Sequence, residues 1–186
     1  GLCLVGSEMC IRDRVNKDAA TIEFVEPRGY DARIETDTPT YFDESIRIAE
    51  FTAGPHLHSD LVQAAINSDY DALYFHGTGL GHLPIQDPEN DSPENIKLKL
   101  TIEDYCKSGG IVVLTTQTIH GPVHLDVYSK GRVQQEIGII GHGSLCPPSS
   151  GLVKLHHLLS LGGGRDVVSS GWEQDLCGEN PYDSQS

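Results

Sequence analysis

The 186-residue sequence has no long apolar run and no excess of positive charge. A membrane-spanning helix needs about 20 consecutive apolar residues, and no stretch of the sequence approaches that length. Lys and Arg together number 13 against 27 Asp and Glu, which gives a net charge of −14. Direct binding of nucleic acid requires a basic face that releases counterions. The two absences therefore argue against a membrane span and against a direct nucleic-acid surface.

Cysteine is scarce, with 5 residues in the chain. Outside the first ten residues, Cys106, Cys146 and Cys177 lie far apart, and none belongs to a CxxC pair. Scattered cysteines of this kind are typical of reduced thiols and not of a disulfide framework. We therefore expect a cytoplasmic protein.

Methionine occurs once, at Met9, within an unusual N-terminal segment. Residues 4–14 resemble the conceptual translation of a transposon-end sequencing adapter, so we treat residues 1–14 as adapter-derived and non-native. The remainder then has no methionine, and we expect it to be a piece of a longer protein. Residues 15–44 predict an arm from a missing N-terminal domain, with edge strands at 21–25 and 30–36. Residues 180–186 predict a frayed tail.

Residues 45–179 alternate between apolar runs and amphipathic segments, which predicts one α/β domain. Residues 46–51, 72–75 and 111–114 predict strands, the last covered on both faces. Helices are predicted at 59–67, capped by Ser59, and at 93–107, with Pro93 in the first turn. Further helices are expected near residues 127–137, 149–161 and 166–174. These spacings predict right-handed crossovers and an open parallel sheet with helices on both faces, a flavodoxin-like three-layer arrangement.

The strongest functional signal follows the second predicted strand. There the chain reads His76-Gly77-Thr78-Gly79-Leu80-Gly81-His82. Glycines at alternate positions permit positive φ and close approach of a ligand to the backbone. Open α/β sheets bind ligands at the carboxyl ends of their strands. The pattern predicts a ligand-binding loop.

Three other kinds of site are weighed and set aside. The histidine pairs that could share a metal ion are His56 with His58, His120 with His124, and His156 with His157. None has a third ligand at a recognisable spacing, and we predict no metal site. The glycine-rich loop lacks the Lys-Ser/Thr of a P-loop and the full glycine spacing of a dinucleotide-binding motif, so a nucleotide site is set aside. Cys146 has no base that the sequence can assign to it, so we expect a structural thiol.

Three segments resemble the C-terminal domain of the asparaginase/glutaminase family. They are residues 76–82 (HGTGLGH), 116–132 (TQTIHGPVHLDVYSKGR) and 151–155 (GLVKL), and the resemblance covers about residues 45–179. The Gly-Leu-Gly-His form favours the archaeal branch that provides glutaminase subunits of tRNA-dependent amidotransferases, because ordinary asparaginases tend to carry Asn there. Residues 145–150 (LCPPSS) depart from the Leu-Pro-Glu helix start of the family, so no role of that acidic residue is carried over.

The resemblance implies an amidohydrolase parent that hydrolyses glutamine with a threonine nucleophile and a Thr–Asp–Lys relay. Ammonia then passes to an E-type partner subunit, which uses ATP and magnesium to convert Glu-tRNA(Gln) to Gln-tRNA(Gln). The nucleophile and relay belong to an N-terminal domain, so no catalytic residue is assigned here and this chain alone is expected to be inactive.

The resemblance also implies a homodimer formed through this domain, which needs no cofactor of its own. In the family, the loop after a parallel strand completes the active site of a neighbouring subunit. By motif position, Thr78, Gly81 and His82 are the candidate substrate-binding residues, and His82 suits a hydrogen bond to an amide or a carboxylate.

Two alternatives remain open. One is the C-terminal domain of an L-asparaginase, because the sequence does not separate glutamine from asparagine as substrate. The other is a stand-alone, non-catalytic flavodoxin-like binding module. A Thr-Gly-Gly strand-end motif upstream in the gene would favour the enzyme, and a native start codon would favour the module.

Overall fold

The computed structural model describes residues 13–16, 21–24, 42–85, 92–119, 121–176 and 179–180. Residues 1–12, the predicted edge strand at 30–36, His120, Cys177 and residues 181–186 lie outside that part. The elements are β1 (Asp13–Asn16), β2 (Thr21–Phe24), β3 (Ile48–Thr52), α1 (Ser59–Asn67), β4 (Ala72–Gly77), α2 (Pro93–Lys107), β5 (Ile111–Thr116), α3 (Ser129–Glu136), α4 (Pro148–Ser160) and α5 (Gly164–Trp172).

Strands β3, β4 and β5 form a parallel sheet in that order. Phe51 pairs with Phe75, and Phe75 pairs with Leu114 in the next strand. Ile140 extends the sheet beyond β5, because its N–H donates to Val112 O at 2.9 Å and its carbonyl accepts from Leu114 N at 2.8 Å. The α/β parallel-sheet prediction is confirmed.

Alternate residues of the strands bury two separate apolar cores, one on each face of the sheet. Leu73 and Phe75 of β4 belong to the core under α1 and α2, which also contains Val62 and Leu98. Ala72, Tyr74, Ile111 and Val113 face α4 and α5, where they join Leu155, Leu158, Val168 and Trp172. Successive strand residues point to opposite faces, and both faces of this sheet are apolar. Helices therefore cover both sides, as predicted.

Several predicted boundaries differ from the structure by a few residues, and two of these differences have a visible cause. Strand β3 begins at Ile48 and not at 46, because Ile46 N donates to Asp43 O in a turn and Arg47 N donates to the Asp71 carboxylate at 2.7 Å. Ser59, predicted to be the cap of α1, is its first helical residue, and the N-cap position is His58. The prediction missed this because the α1 N-terminus is satisfied by a distant residue on α2.

One feature of the structure differs from the predicted N-terminal arm (residues 15–44), and one differs from the predicted C-terminal tail (residues 180–186). Strands β1 and β2 form an antiparallel pair in which Asp13 opposes Phe24, so β1 crosses the boundary predicted after residue 14. Asn180, predicted to be frayed, is buried, and its Oδ1 accepts a hydrogen bond from Leu145 N at 2.7 Å. The adapter origin of residues 1–14 stays a prediction. In the described part, no helix is long and apolar enough to cross a membrane.

Candidate functional site at the carboxyl ends of β3 and β4

The loop after β4 closes on itself through its own backbone. Thr78 N donates to His82 O at 2.9 Å, and His82 N donates to Thr78 O at 2.8 Å. A side chain at Gly77 would meet the carbonyl carbon of Gly81 at 2.5 Å. Gly81 has φ +96 and lies against Val123, so both positions need glycine. The glycine spacing read from the sequence therefore produces a tight five-residue turn.

Side chains from β5 and α3 hold this loop from behind. Gln134 is fully buried; its Nε2 donates to Gly81 O at 2.8 Å and its Oε1 accepts from Leu83 N at 2.7 Å. The Thr116 hydroxyl donates to Gly79 O. Gln117 Nε2 donates to Ala53 O and to His76 O, both at 2.9 Å, which ties β3 to β4. The sequence analysis assigned no role to Gln134, although a glutamine at a core-facing helix position is the available signal.

In front of the loop lies a cleft of about 410 Å³. Its walls come from four parts of the chain: the loop after β3, the loop after β4, the start of α2 and the start of α3. The lining residues are Gly54, Pro55, Leu57, His58, Thr78, His82, Leu83, Pro84, Ser92, Glu94, Asn95 and Lys130. The cleft therefore occupies the position where open α/β sheets bind their ligands.

His82 forms part of the cleft wall, and its ring packs edge-on against Tyr128 at a centroid distance of 5.4 Å. Its Nε2 is enclosed by protein and has no hydrogen-bond partner among the described residues. Burial, together with the positive charge of Lys130, lowers the pKa of His82 below its ordinary value. The imidazole is therefore neutral at pH 7. A buried polar atom without a partner is uncommon and calls for an explanation.

Two charged side chains of opposite sign line the same cleft. Glu94 Oε1 accepts a hydrogen bond from Ser59 N at 2.6 Å and lies 3.8 Å from His58 Nδ1. The hydrogen bonds from Ser59, followed by the charges of His58 and Lys97, lower the pKa of Glu94. Glu94 thus supplies the negative charge that the N-terminus of α1 favours. Lys130 supplies the positive charge, and it is half-buried in the first turn of α3.

The three predicted site residues have different positions relative to the cleft. Thr78 and His82 line it. Gly81 is buried behind the turn, where its N–H donates to Thr78 O at 3.0 Å and its carbonyl accepts from Gln134. The structure therefore gives Gly81 a role in shaping the loop. Its direct contact with a substrate stays a prediction, as do those of Thr78 and His82.

One group of possible metal ligands occurs in the described part, formed by His124, Asp126 and His142, all exposed. His142 Nδ1 accepts a hydrogen bond from Leu125 N at 3.1 Å, so its proton is on Nε2. That nitrogen faces Asp126 Oδ2 at 3.3 Å, while Asp126 Oδ1 accepts from Gln135 at 2.8 Å. The arrangement braces the segment before α3. It presents an N–H where a metal would need a lone pair.

The other candidates from the sequence are also placed. Cys146 is buried, and its N–H donates to Ser144 Oγ at 3.2 Å. It is in the thiol form and lies outside the cleft. His156 and His157 are half-buried on α4, where both rings contact Phe42. The positions of Cys146, His156 and His157 agree with roles in packing.

Comparison with known protein families identifies the type of domain. The family described as "Glutaminase/Asparaginase C-terminal domain" matches residues 47–169, a range that contains the parallel sheet, the cleft and the loop. Curated relatives are the D-type subunits of glutamyl-tRNA(Gln) amidotransferase from Methanococcus maripaludis and from Aeropyrum pernix. The first is 33% identical over 61% of this chain and 24% of its own length. The second is 31% identical over 72% of this chain and 28% of its own length.

Solved structures show the same fold. L-asparaginase I from Vibrio cholerae superposes with a TM-score of 0.59 at 27% identity, covering 72% of this chain and 37% of that one. The L-asparaginase from Thermococcus kodakarensis superposes with a TM-score of 0.60 at 22% identity, covering 91% and 47%, respectively. The chain spans about a quarter of the length of the curated relatives that it matches. It belongs to the glutaminase/asparaginase family and corresponds to the C-terminal domain of that family.

Proposed function

We propose that this chain is the C-terminal part of the glutaminase subunit of a tRNA-dependent amidotransferase. The observation that carries the proposal is the closed loop with His82, placed beside a cleft at the carboxyl ends of β3 and β4 in a glutaminase/asparaginase C-terminal domain. The names of the curated relatives support the amidotransferase role over other amidohydrolases. The parent protein hydrolyses glutamine, and this domain helps to complete the substrate site.

The hydroxyl groups of the cleft support a nucleophile supplied by another domain. The Thr78 hydroxyl donates to the carbonyl of His82 at 3.1 Å, and Ser92 Oγ accepts from Asn95 N as the cap of α2. Neither hydroxyl hydrogen-bonds a basic side chain in the described part. A nucleophilic hydroxyl needs an adjacent base to accept its proton. We therefore assign no catalytic residue to this chain, and we expect the 186-residue chain alone to hydrolyse neither glutamine nor asparagine.

His82 is the proposed substrate contact. An imidazole nitrogen that lacks a partner has unused hydrogen-bonding capacity, and His82 lines the cleft that would receive the ligand. A neutral imidazole can donate to a carboxylate or accept from an amide. Thr78 shares the cleft wall and keeps lone pairs that can accept a hydrogen bond. Gly81 contributes through the shape of the turn.

The proposed assembly follows from the same assignment. This domain pairs with a second copy in a homodimer, so that the loop reaches a neighbour's active site. An E-type partner subunit receives the ammonia and uses ATP and magnesium to convert Glu-tRNA(Gln) to Gln-tRNA(Gln). The acidic balance of the chain, −14, supports leaving contact with the tRNA to that partner.

The alternative of an L-asparaginase C-terminal domain is favoured by the solved structures, which are both L-asparaginases. An asparaginase acts without a tRNA-binding partner and on asparagine. A stand-alone binding module is the third possibility, and it predicts ligand binding without hydrolysis in any longer form of the protein.

The deciding experiment uses the full-length gene product, expressed with and without its E-type partner. The proposal predicts glutamine hydrolysis and glutamine-dependent formation of Gln-tRNA(Gln) that requires both subunits, while ammonium chloride bypasses the need for the glutaminase subunit. Hydrolysis of asparagine without any effect of the partner would establish the asparaginase alternative. The absence of hydrolysis with either amide would leave the binding module.

A further inference from the structure

Lys130 lines the cleft as a cation that has no counter-ion among the described residues. It is half-buried in the first turn of α3. Among the described residues, its ammonium makes no hydrogen bond and no ion pair with a carboxylate. A charged side chain that loses part of its hydration normally gains a partner in exchange. The position of Lys130 therefore points to a partner that enters the cleft.

Glu94, the acidic side chain among the described residues that line the cleft, is already engaged. The Glu94 carboxylate accepts the hydrogen bond from Ser59 N at the start of α1 and lies beside His58. Its charge is directed at a helix N-terminus, where a carboxylate is stabilised. Glu94 therefore has a structural role that accounts for its charge, whereas the charge of Lys130 has none within the described residues.

The surroundings of Lys130 add to the positive potential. The first turn of α3 contains no acidic residue, and the side chain of Tyr128 at the N-cap position makes no capping hydrogen bond. The N-terminus of a helix carries partial positive charge. His82 lies next to Lys130, with a ring nitrogen that lacks a partner in the described part. This corner of the cleft suits an anion.

We propose that Lys130 binds a carboxylate group of a small-molecule ligand in this cleft, next to His82. The ligand class is a carboxylate-bearing amide or acid. In the glutaminase proposed above, on which this identification of the ligand rests, the group is a carboxylate of the substrate. A lysine acts here as a point charge with three N–H donors, so it discriminates by charge more than by shape.

A titration of the 186-residue chain tests the proposal without requiring turnover. Glutarate, a five-carbon dicarboxylate, is added at constant ionic strength and pH 7.5, and the imidazole signals of His82 are followed by NMR. Glutaramide, its uncharged diamide, is the matched ligand control. We expect glutarate to bind saturably and glutaramide to bind at least about tenfold more weakly. The basis is that a hydrogen bond to a charged group is stronger than one between neutral groups.

Variants locate the interaction. Lys130→Met should weaken glutarate binding by about ten- to a hundredfold, and Lys130→Gln should do the same if one variant folds poorly. Lys107→Met removes the same charge from the exposed C-terminal end of α2, outside the cleft, and it should leave the affinity within about twofold of the original, because exposed charges outside the site are screened. Equal binding of glutaramide, an unchanged affinity in both Lys130 variants, or no saturable binding of glutarate would each overturn the proposal.

The titration tests the role of Lys130 separately from the proposed glutaminase function. A failed titration, next to a full-length protein that hydrolyses glutamine, overturns the role of Lys130 alone. A successful titration, next to a full-length protein that hydrolyses no amide, overturns the glutaminase assignment and leaves a carboxylate-binding site.

Discussion

Two lysines of this domain occupy opposite kinds of environment. Lys154 of α4 has a side chain that is 3% exposed, and its Nζ lies 2.8 Å from Glu179 Oε1. The same ammonium donates to Trp172 O at 2.9 Å and to Gln174 O, and it lies 5.5 Å from the centroid of the Trp172 ring. Lys130, at the cleft, has no such partners among the described residues.

The contrast separates a structural charge from one that is available to a ligand. Lys154 and Glu179 join α4 to the segment after α5, so their charges are used within the fold. A buried pair of this kind is costly to break, since the remaining charge stays desolvated. Lys130 and the enclosed His82 nitrogen have unused binding capacity instead. Within one small domain, the lysine on the α4 and α5 side has several partners, and the lysine at the cleft has none among the described residues.

The largest expected effect comes from breaking the buried pair. Lys154→Met removes the cation that lies 2.8 Å from the buried Glu179 carboxylate and should lower the free energy of unfolding by about 3–5 kcal/mol. Lys130→Met is the matched control, and it should change stability by no more than about 0.5 kcal/mol because it breaks no contact in the described part. Urea denaturation of the two variants measures the difference.

Equal losses in the two lysine variants would contradict the comparison, because Lys130 would then be a structural residue as well. The double variant Lys154→Met, Glu179→Leu sharpens the result. Replacing both partners of a buried pair with apolar residues removes the stranded charge, so the double variant should recover part of the stability lost in Lys154→Met.

A second, smaller effect concerns the residue that supports the loop. Gln134→Met removes both hydrogen bonds to the loop and leaves Gly81 O and Leu83 N buried without a partner. The expected loss is about 2 kcal/mol. Gln135→Met, one residue along the same helix, loses a hydrogen bond to exposed Asp126 and should cost about 0.5 kcal/mol. Thermal unfolding of both variants checks this, and a Gln134 variant as stable as the Gln135 variant would remove Gln134 as the support of the loop.

Local patterns were sufficient to predict the sheet and the position of the loop. The continuous apolar run of β5 and the glycine spacing after β4 both report short-range requirements, namely burial on two faces and positive φ. The helix at 93–107 was predicted with its bounds from Pro93 in its first turn, and the structure adds Ser92 as its N-cap. Family resemblance, carried by three segments, then located the candidate site residues.

The features that the sequence analysis missed depend on residues far apart in the chain. Gln134 donates a hydrogen bond to a loop 53 residues earlier. Glu94 accepts a hydrogen bond from Ser59 N at the start of α1, 35 residues earlier. Neither partner can be inferred from spacing or periodicity. Lys130 was part of a recognised segment, but its role depends on a cleft that exists only once α3 lies beside the loop after β4. Long-range polar contacts are therefore the part that required the structure.

The smallest expected effect is a pH dependence of stability due to His82. Burial and the charge of Lys130 lower its pKa in the folded state, so the unfolded chain binds this proton more readily. The stability that neutral His82 contributes to the folded state is fully present above the unfolded pKa of about 6.5, and it is lost as the pH falls below that value. His82→Asn should remove that part of the slope, while Glu94 and His58 across the cleft stay the same in both proteins. Urea midpoints between pH 5 and pH 8 give the comparison, and identical slopes would show that His82 does not titrate differently on folding.

The most direct test of the account is the His82→Ala variant of the full-length protein, with glutaminase kcat/KM and melting temperature measured on the same preparation. If His82 contacts the substrate, its loss removes a hydrogen bond worth roughly 1–3 kcal/mol. That loss lowers kcat/KM by about ten- to a hundredfold and leaves the melting temperature nearly unchanged. A lower melting temperature, with activity lost only in proportion to unfolded protein, would make His82 a loop-structuring residue, and kinetics equal to those of the unmodified protein would remove it from the site.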